Sequence, residues 1–187
     1  ESRFWDDNGE IGLALMQAYS QANDSQKYLE MAKPMWQFIA SGQAKDGGVY
    51  WHERDPKPNR GISATGSDTQ LALRLHIATN SNVSSSPYLA FAQLNYDWLN
   101  AHLRAPEGYY WNSLYDNPAD LPSNCRSSQS KSPANVCEWM FTYNQGFVIG
   151  SDVLLYRATK DNRYLADATK TANAALDYFT PDRLWTQ

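Results

Sequence analysis

The sequence predicts an all-α fold in which helical hairpins stack side by side, with short β segments in the loops. Three pairs of amphipathic segments, a recurring Tyr-Leu motif and a fixed distance from that motif to a Tyr-Trp pair support this prediction. Repeats of this kind are typical of stacked hairpins, which form an open solenoid or a closed toroid. About three hairpins fit into the 187 residues, and we expect them to form one domain, residues 1–187, of an incomplete ring.

Six helices are predicted from apolar residues at the three- and four-residue spacing of one helical face. In residues 8–22, for example, Ile11, Leu15 and Tyr19 recur at that spacing. A second helix follows the break at residues 23–25 and runs to about Ser41. The remaining helices are predicted at 67–79, 87–103, 143–159 and 162–179.

The hairpins repeat one sequence pattern. A Tyr-Leu pair with an alanine three residues after the leucine occurs at Tyr28-Leu29, Tyr88-Leu89 and Tyr164-Leu165. Tyr50-Trp51 and Tyr110-Trp111 begin 22 residues after the first two of these pairs, and Leu184-Trp185 begins a third copy. Because the sequence stops inside that copy, we expect the chain to carry about half of a ring, with the remaining segments missing.

Composition excludes several classes of function. The net charge is -4 and charged residues make up 19% of the chain, so the sequence offers no basic patch for nucleic acid. The sequence contains no run of 18 apolar residues, so no membrane-spanning helix is predicted. The 7 Trp, 12 Tyr and 6 Phe fall partly in loops, where aromatic rings either bind flat ligands such as sugars or fill gaps between helices.

Cys125 and Cys137 are the only cysteines, and their position in a polar loop favours a disulfide over buried thiols. A disulfide implies an oxidising compartment. Asn23 and Asn82 each begin a glycosylation triplet. These features together favour a secreted or cell-surface protein. The histidines lie too far apart to form a predicted metal site, and no cofactor is expected.

Three polar segments occupy equivalent places, each just before the first helix of a hairpin: residues 5–9, 63–68 and 142–146. In a ring of hairpins the first helices line the inside, so we expect these segments to converge around one mouth. Helix N-termini offer free N–H groups and a positive dipole end, which favour an ionised carboxylate. Asp68 is expected to cap its own helix.

Asp6 and Asp7 form a carboxylate pair in the first of these segments. Hydrolysis of a glycosidic bond needs one carboxyl group to protonate the leaving oxygen and another to attack or stabilise the sugar cation. Repulsion between neighbouring carboxylates keeps one of them protonated. An Asp-Asp-Asn sequence before a helix is also an ordinary capping cluster, and the dipeptide alone does not separate the two interpretations.

Further residues of these segments are candidate sugar contacts. Trp5, Trp51, Trp111 and Trp139 are rings that could stack on a sugar, although the repeated Trp51 and Trp111 are expected in the core. The predicted substrate-binding residues are Trp5, Asn8, Thr65, Tyr143, Asn144 and Gln145, although the last three could instead cap a helix.

The sequence resembles glycoside hydrolase family 76, the endo-α-1,6-mannanase family that includes fungal cell-wall transglycosidases. The resemblance rests on Trp5-Asp6-Asp7 before a Leu-Ala-Leu helix, on residues 142–146, and on residues 149–150 and 155–159, and it covers essentially the whole chain. It implies an (α/α)6 toroid and a retaining mechanism, with Asp6 as nucleophile and Asp7 as general acid/base. The family domain is about twice as long, and Thr65-Gly66 replaces the Asn-Gly that the family often has.

The sequence therefore predicts a retaining glycoside hydrolase that cleaves α-1,6-mannosidic bonds within mannan. Two alternatives remain open. A transglycosidase of the same family would share the mechanism, and a non-catalytic helical-repeat fragment would bind carbohydrate without cleaving it. In each case the expected partner is an α-mannan polysaccharide or oligosaccharide.

Overall fold

The computed structural model describes residues 2–23, 25–54 and 59–179. This part of the chain contains six α-helices, three two-residue strands and one 3₁₀ turn at Pro118–Asp120. The helices are α1 (Trp5–Gln21), α2 (Gln26–Ala40), α3 (Ile62–Ala78), α4 (Pro87–His102), α5 (Thr142–Thr159) and α6 (Arg163–Tyr178). The strands are β1 (Arg60–Gly61), β2 (Ser113–Leu114) and β3 (Val136–Cys137). The repeat at Leu184-Trp185 lies outside the described residues.

The helices form three consecutive hairpins in two layers. The first helix of each hairpin packs on the first helix of the next, so that α1, α3 and α5 form an inner row. Their partners α2, α4 and α6 form the outer layer, each packed on its own inner helix. The predicted hairpin architecture is confirmed, and the loops of the hairpins carry the predicted short β segments.

The middle inner helix, α3, is buried on almost all sides because α1, α4 and α5 surround it. Leu71, Leu73 and Leu75 are fully buried in the main core. Glycines let the inner helices approach closely: a Cβ on Gly66 would lie 2.7 Å from Phe147 Cβ. A helix enclosed in this way also buries polar residues. Its hydrophobic periodicity therefore does not show at which residue the helix begins.

Two inner helices begin earlier than predicted. The sequence placed their starts at residues 8 and 67, whereas α1 begins at Trp5 and α3 at Ile62. The Trp5 N–H donates to Trp51 O (3.0 Å), and the Ile62 N–H donates to Asn112 O (3.0 Å). A loop carbonyl thus takes the place of a polar capping side chain, and the predicted junction residues lie within the first turns of the helices.

A small antiparallel sheet ties the loops together at this end of the hairpins. Its strand order is β1-β2-β3, with Gly61 opposite Ser113 and Ser113 opposite Cys137. The disulfide between Cys125 and Cys137 is present, as predicted. It fixes the long loop between α4 and α5 beside the starts of the inner helices. No helix in the described ranges is long and apolar enough to cross a membrane.

Candidate active site

A cavity of about 330 Å³ opens at the N-terminal ends of the inner helices. Asp6, Ser63 and Tyr143 line it, and each is the second residue of its helix, α1, α3 and α5 respectively. Its volume falls at the lower end of the range of ligand pockets, about 300–1,000 Å³. The predicted convergence of the three segments on one mouth therefore holds for these three side chains.

Exposed aromatic rings form much of the cavity wall. Trp51 is 43% exposed, Trp139 36% and Tyr143 46%, and Phe141 stacks on Tyr143 with ring centroids 5.2 Å apart. Apolar walls with a few polar groups are typical of ligand pockets, and aromatic faces suit the C–H faces of sugar rings. The polar groups here include Asp6, Ser63 and Asn112.

The Asp6 carboxylate is oriented by its neighbours. Its Oδ1 accepts a hydrogen bond from the Asp7 backbone N–H at 2.9 Å. Burial raises the pKa of Asp6, while that backbone bond lowers it and the Asp7 charge raises it. Hydrogen bonding from the Ser63 and Trp51 side chains also lowers the Asp6 pKa. Asp7 itself is exposed and does not line the cavity in the described structure.

The fourth residue of each inner helix has a different role. Gln145 is 2% exposed, and its amide both accepts from Tyr110 N (2.8 Å) and donates to Tyr110 O (2.9 Å). Thr65 is fully buried and accepts from Val49 N at 2.9 Å. Both therefore hold the Tyr-Trp segment of the preceding hairpin. The prediction that Thr65 and Gln145 reach the sugar is wrong, because each is buried against that backbone.

Asn8, the fourth residue of α1, is partly buried and donates to Phe4 O at 2.6 Å. Asn144 is fully buried and donates to Asn112 Oδ1 at 3.3 Å. Asn112 lines the cavity, so Asn144 lies behind the wall rather than on it. The structure brings neither predicted contact residue into the cavity.

Trp5 is also not part of the cavity wall. It is 3% exposed and stacks on Phe38, with ring centroids 6.0 Å apart. A Cβ on Gly42 would lie 2.5 Å from the Trp5 ring, so the indole fills the space between α1 and the end of α2. The predicted stacking of Trp5 on sugar is wrong for this reason.

The two Tyr-Trp segments differ in their tryptophans. Trp111 is 7% exposed and packs with Val136 of the disulfide loop, so its predicted place in the core is confirmed. Trp51 contacts Phe4 edge-on and keeps a face open to the cavity. The core prediction for Trp51 is wrong, because the long loop that covers Trp111 has no counterpart over Trp51 in the described chain.

Asp68 does not cap α3. It is the seventh residue of that helix and is fully buried, since the helix begins at Ile62 rather than at residue 67. Its carboxyl group lies against Gly9 of α1.

The cavity is also lined by Ser63, Asn112 and Phe141, which the sequence did not single out as sugar contacts. One signal was available for Ser63: it occupies the same repeat position as Asp6 and Tyr143, once the helix starts are known. Asn112 directly follows the second Tyr-Trp pair.

A larger cavity, about 450 Å³, lies on the other side of Trp139, around the disulfide loop. It contains Glu138 but neither Asp6 nor Asp7. Glu138 accepts from the backbone N–H groups of Lys131 and Ser132 and from the Ser130 hydroxyl. These bonds make Glu138 a loop-stabilising residue, so the smaller cavity is the better candidate for catalysis. In the described residues, no group of three or more His, Cys, Asp or Glu could hold a metal ion.

The sequence profile of glycosyl hydrolase family 76 matches residues 1–187. The chain belongs to this family. A search of curated proteins gives no match.

Solved structures agree with the family membership. A GH76 α-mannanase of Bacteroides thetaiotaomicron has 26% sequence identity and a TM-score of 0.77 over 95% of this chain. An inactive variant of the α-1,6-mannanase GH76A of Salegentibacter sp. HEL1_6, in complex with α-1,6-mannotriose, has 26% identity and a TM-score of 0.74 over 92% of this chain. Dfg5 of Chaetomium thermophilum, in complex with glucosamine, has 16% identity and shares the fold, with a TM-score of 0.74 over 96% of this chain.

The chain spans less than half the length of these structures, covering 45%, 47% and 43% of them respectively. The three hairpins are thus a partial ring of the helical toroid seen in this family.

Proposed function

We propose that this chain carries the catalytic carboxylates of a retaining glycoside hydrolase that cleaves α-1,6-mannosidic bonds within mannan. The observation that carries the proposal is the position of Asp6, next to Asp7 and in a cavity walled by exposed aromatic rings. The Salegentibacter enzyme is described as an α-1,6-mannanase, and its inactive variant has two consecutive aspartates replaced. That variant supports assigning the chemistry to the adjacent pair here.

In the proposed mechanism, Asp6 attacks the anomeric carbon while Asp7 gives its proton to the departing glycosidic oxygen. The bond between the anomeric carbon and that oxygen breaks, and a glycosyl ester forms on Asp6. Asp7, now ionised, takes a proton from a water molecule as the water attacks the same carbon and releases Asp6. Two displacements return the product with its original anomeric configuration.

Ser63 and Trp51 support the nucleophile in this mechanism, because hydrogen bonds to the ionised carboxylate favour that form. Burial acts in the other direction and is the largest influence on the Asp6 pKa. Burial alone would favour Asp6 as the proton donor, whereas the family resemblance assigns it as the nucleophile. The roles therefore need a direct test.

An aryl α-mannoside with a good leaving group separates the role of nucleophile from that of general acid, because the aryl group leaves without being protonated. With Asp6→Asn we expect no turnover of this substrate or of mannan. With Asp7→Asn we expect the glycosyl ester to form and to be released by azide, while mannan hydrolysis is lost. The reverse pattern would exchange the roles of Asp6 and Asp7.

The overall activity is tested by incubating the purified chain with linear α-1,6-mannan and sizing the products. Short oligosaccharides with retained configuration are expected for an endo-acting hydrolase. Longer products in the presence of an acceptor sugar would assign a transglycosidase instead. Binding of mannan with no new reducing ends would reject both enzymatic assignments and leave a carbohydrate-binding fragment.

We also propose that the protein works outside the cytoplasm, at the cell surface or in secreted form. The disulfide between Cys125 and Cys137 supports this, since such bonds persist in oxidising compartments. Protein isolated from its source under thiol-blocking conditions is expected to contain no free cysteine; two free thiols would contradict the proposal.

A further inference from the structure

Asp68 is a fully buried carboxyl group that the proposed mechanism does not use. It projects from α3 toward α1, at a place where α1 carries Gly9. A Cβ built on Gly9 would lie 2.0 Å from Asp68 Oδ1 and 3.3 Å from its Cγ. Only a glycine on α1 leaves room for this carboxyl group, so the two positions form one packing unit.

Gly9 lies three residues after Asp6, about one helical turn along α1. The Asp68 carboxyl group therefore packs against the turn of α1 that presents Asp6 to the cavity. Ser67 Oγ lies 3.5 Å from Asp68 Oδ1 and donates more strongly to Ser63 O, at 2.6 Å. Asp68 Oδ2 is buried and has no hydrogen-bond partner among the described residues.

Burial raises the pKa of Asp68 well above its usual value, and the charge of Asp6 raises it further, while Ser67 lowers it. A buried carboxyl group without a counter-ion is stable in its neutral form. The other helices packed on α3 carry ionisable groups whose pKa values respond to partners other than Asp68. They are Glu30 and Lys33 on α2, Tyr96 on α4, and Tyr143 and Asp152 on α5.

We propose that Asp68 is a positioning residue for Asp6: a neutral carboxyl group that holds the first turn of α1 against α3 without placing a second negative charge beneath the site. The proposal rests on the function proposed above for Asp6. It explains why a polar side chain, rather than a leucine, fills the space at Gly9. It also assigns a role to a carboxyl group with an oxygen that has no partner in the described structure.

A neutral Asp68 leaves Asp6 as the group that ionises first. The site then carries the single negative charge that the nucleophile needs as positive charge develops on the sugar. Ionisation of Asp68 would put like charges on both sides of the contact between α1 and α3, which pushes the first turn of α1 out of place. Misplacement of a nucleophile by about 1 Å lowers the rate by up to about a hundredfold.

The kinetic test compares Asp68→Ala with Asp68→Asn in the intact chain, using linear α-1,6-mannan. We expect Asp68→Ala to lower kcat by about tenfold or more, with KM changed by less than about threefold, because the turn that carries Asp6 loses its support. Asp68→Asn, which is neutral and of similar shape, is expected to restore most of the lost kcat. At pH values high enough to ionise Asp68, the ratio of kcat in Asp68→Asn to kcat in wild type should increase, because only the wild type gains the charge.

Three results would overturn the proposal. One is a wild-type kcat in Asp68→Ala. Another is a folded Asp68→Asn variant that is as slow as Asp68→Ala, since a neutral amide would then be no substitute. The third is an Asp68→Ala variant in which only KM changes, because displacement of the nucleophile lowers kcat.

An activity-independent measurement keeps the proposal testable if Asp68→Ala does not fold or if the chain is not a mannanase. The Asp68 carboxyl carbon is titrated by ¹³C NMR in wild type and in Asp6→Asn. We expect the pKa of Asp68 to fall when the Asp6 charge is removed. An unchanged pKa would reject the coupling between the two groups, whereas absence of mannan hydrolysis with a lowered pKa would reject only the proposed function.

Discussion

The second and fourth residues of the inner helices stand about half a turn apart and serve different purposes. Asp6, Ser63 and Tyr143 line the cavity at the mouth. Thr65 and Gln145 instead bind the backbone of the preceding hairpin. Successive positions of a helix point about 100° apart, so two steps turn the side chain to the other side of the axis. In α3 and α5, one face of the first turn thus lines the cavity and the other holds the preceding hairpin.

This comparison predicts that fourth-position substitutions lower stability more than second-position substitutions do. Gln145→Leu should have the largest effect. It leaves the buried N–H and C=O of Tyr110 without partners, at about 1–3 kcal/mol for each group. Chemical denaturation should show a loss of about 2–6 kcal/mol in the free energy of unfolding. Gln145→Glu in its protonated form can still accept from the Tyr110 N–H and donate to the Tyr110 C=O, and it serves as the control, with a smaller loss at low pH. Equal stability of Gln145→Leu and wild type would contradict the assignment.

Thr65→Val tests the same role in the preceding hairpin. Valine has nearly the same shape but gives the Val49 N–H no acceptor. We expect a loss of about 1–3 kcal/mol in the free energy of unfolding. Thr65→Ser keeps the hydroxyl and should retain more of the stability. If both variants have wild-type stability and lower activity, Thr65 belongs to the site after all.

Tyr143→Ala tests the second position on α5. Removing the exposed ring takes away a stacking surface but little core packing. An aromatic contact contributes about 0.5–1.5 kcal/mol to binding, so KM for mannan oligosaccharides should rise about two- to tenfold. The midpoint temperature of thermal unfolding should stay close to the wild-type value. Tyr143→Phe keeps the ring and should retain most of the affinity. Loss of stability without a change in KM would contradict the comparison.

Ser63→Ala should have the smallest effect, which is measured as a change in the pH dependence of kcat/KM. Hydrogen bonding from Ser63 lowers the pKa of Asp6, so its removal raises that pKa. Asp6 must be ionised to attack, and activity falls as pH decreases through its pKa. The acid limb of kcat/KM should therefore move to higher pH, by less than about one unit. A shift to lower pH, or none, would show that Ser63 does not hydrogen-bond the carboxylate. Ser20→Ala, near the other end of α1, removes a hydroxyl group that donates to Gln17 O and is the control.

The sequence predicted part of the cavity wall but assigned several sugar contacts to buried residues. Asp6 and Tyr143 lie in the same cavity, as expected, whereas Trp5, Thr65 and Gln145 are buried. For Trp5 and Thr65 the error came from the helix starts: loop carbonyls replace polar caps at Trp5 and Ile62, and this leaves no sign in the local sequence. Starts placed three and five residues too late rotate the expected direction of every side chain in the first turn.

Periodicity and repetition by themselves determined the three hairpins, their order and the segments that converge at the mouth, because helical spacing is a local property of the chain. The cysteine content likewise determined the disulfide. Only the tertiary structure decided which faces of the first turns meet the cavity, which tryptophan stays uncovered and where Asp68 lies. Those outcomes depend on contacts between residues far apart in sequence, such as Asp68 with Gly9 and Gln145 with Tyr110.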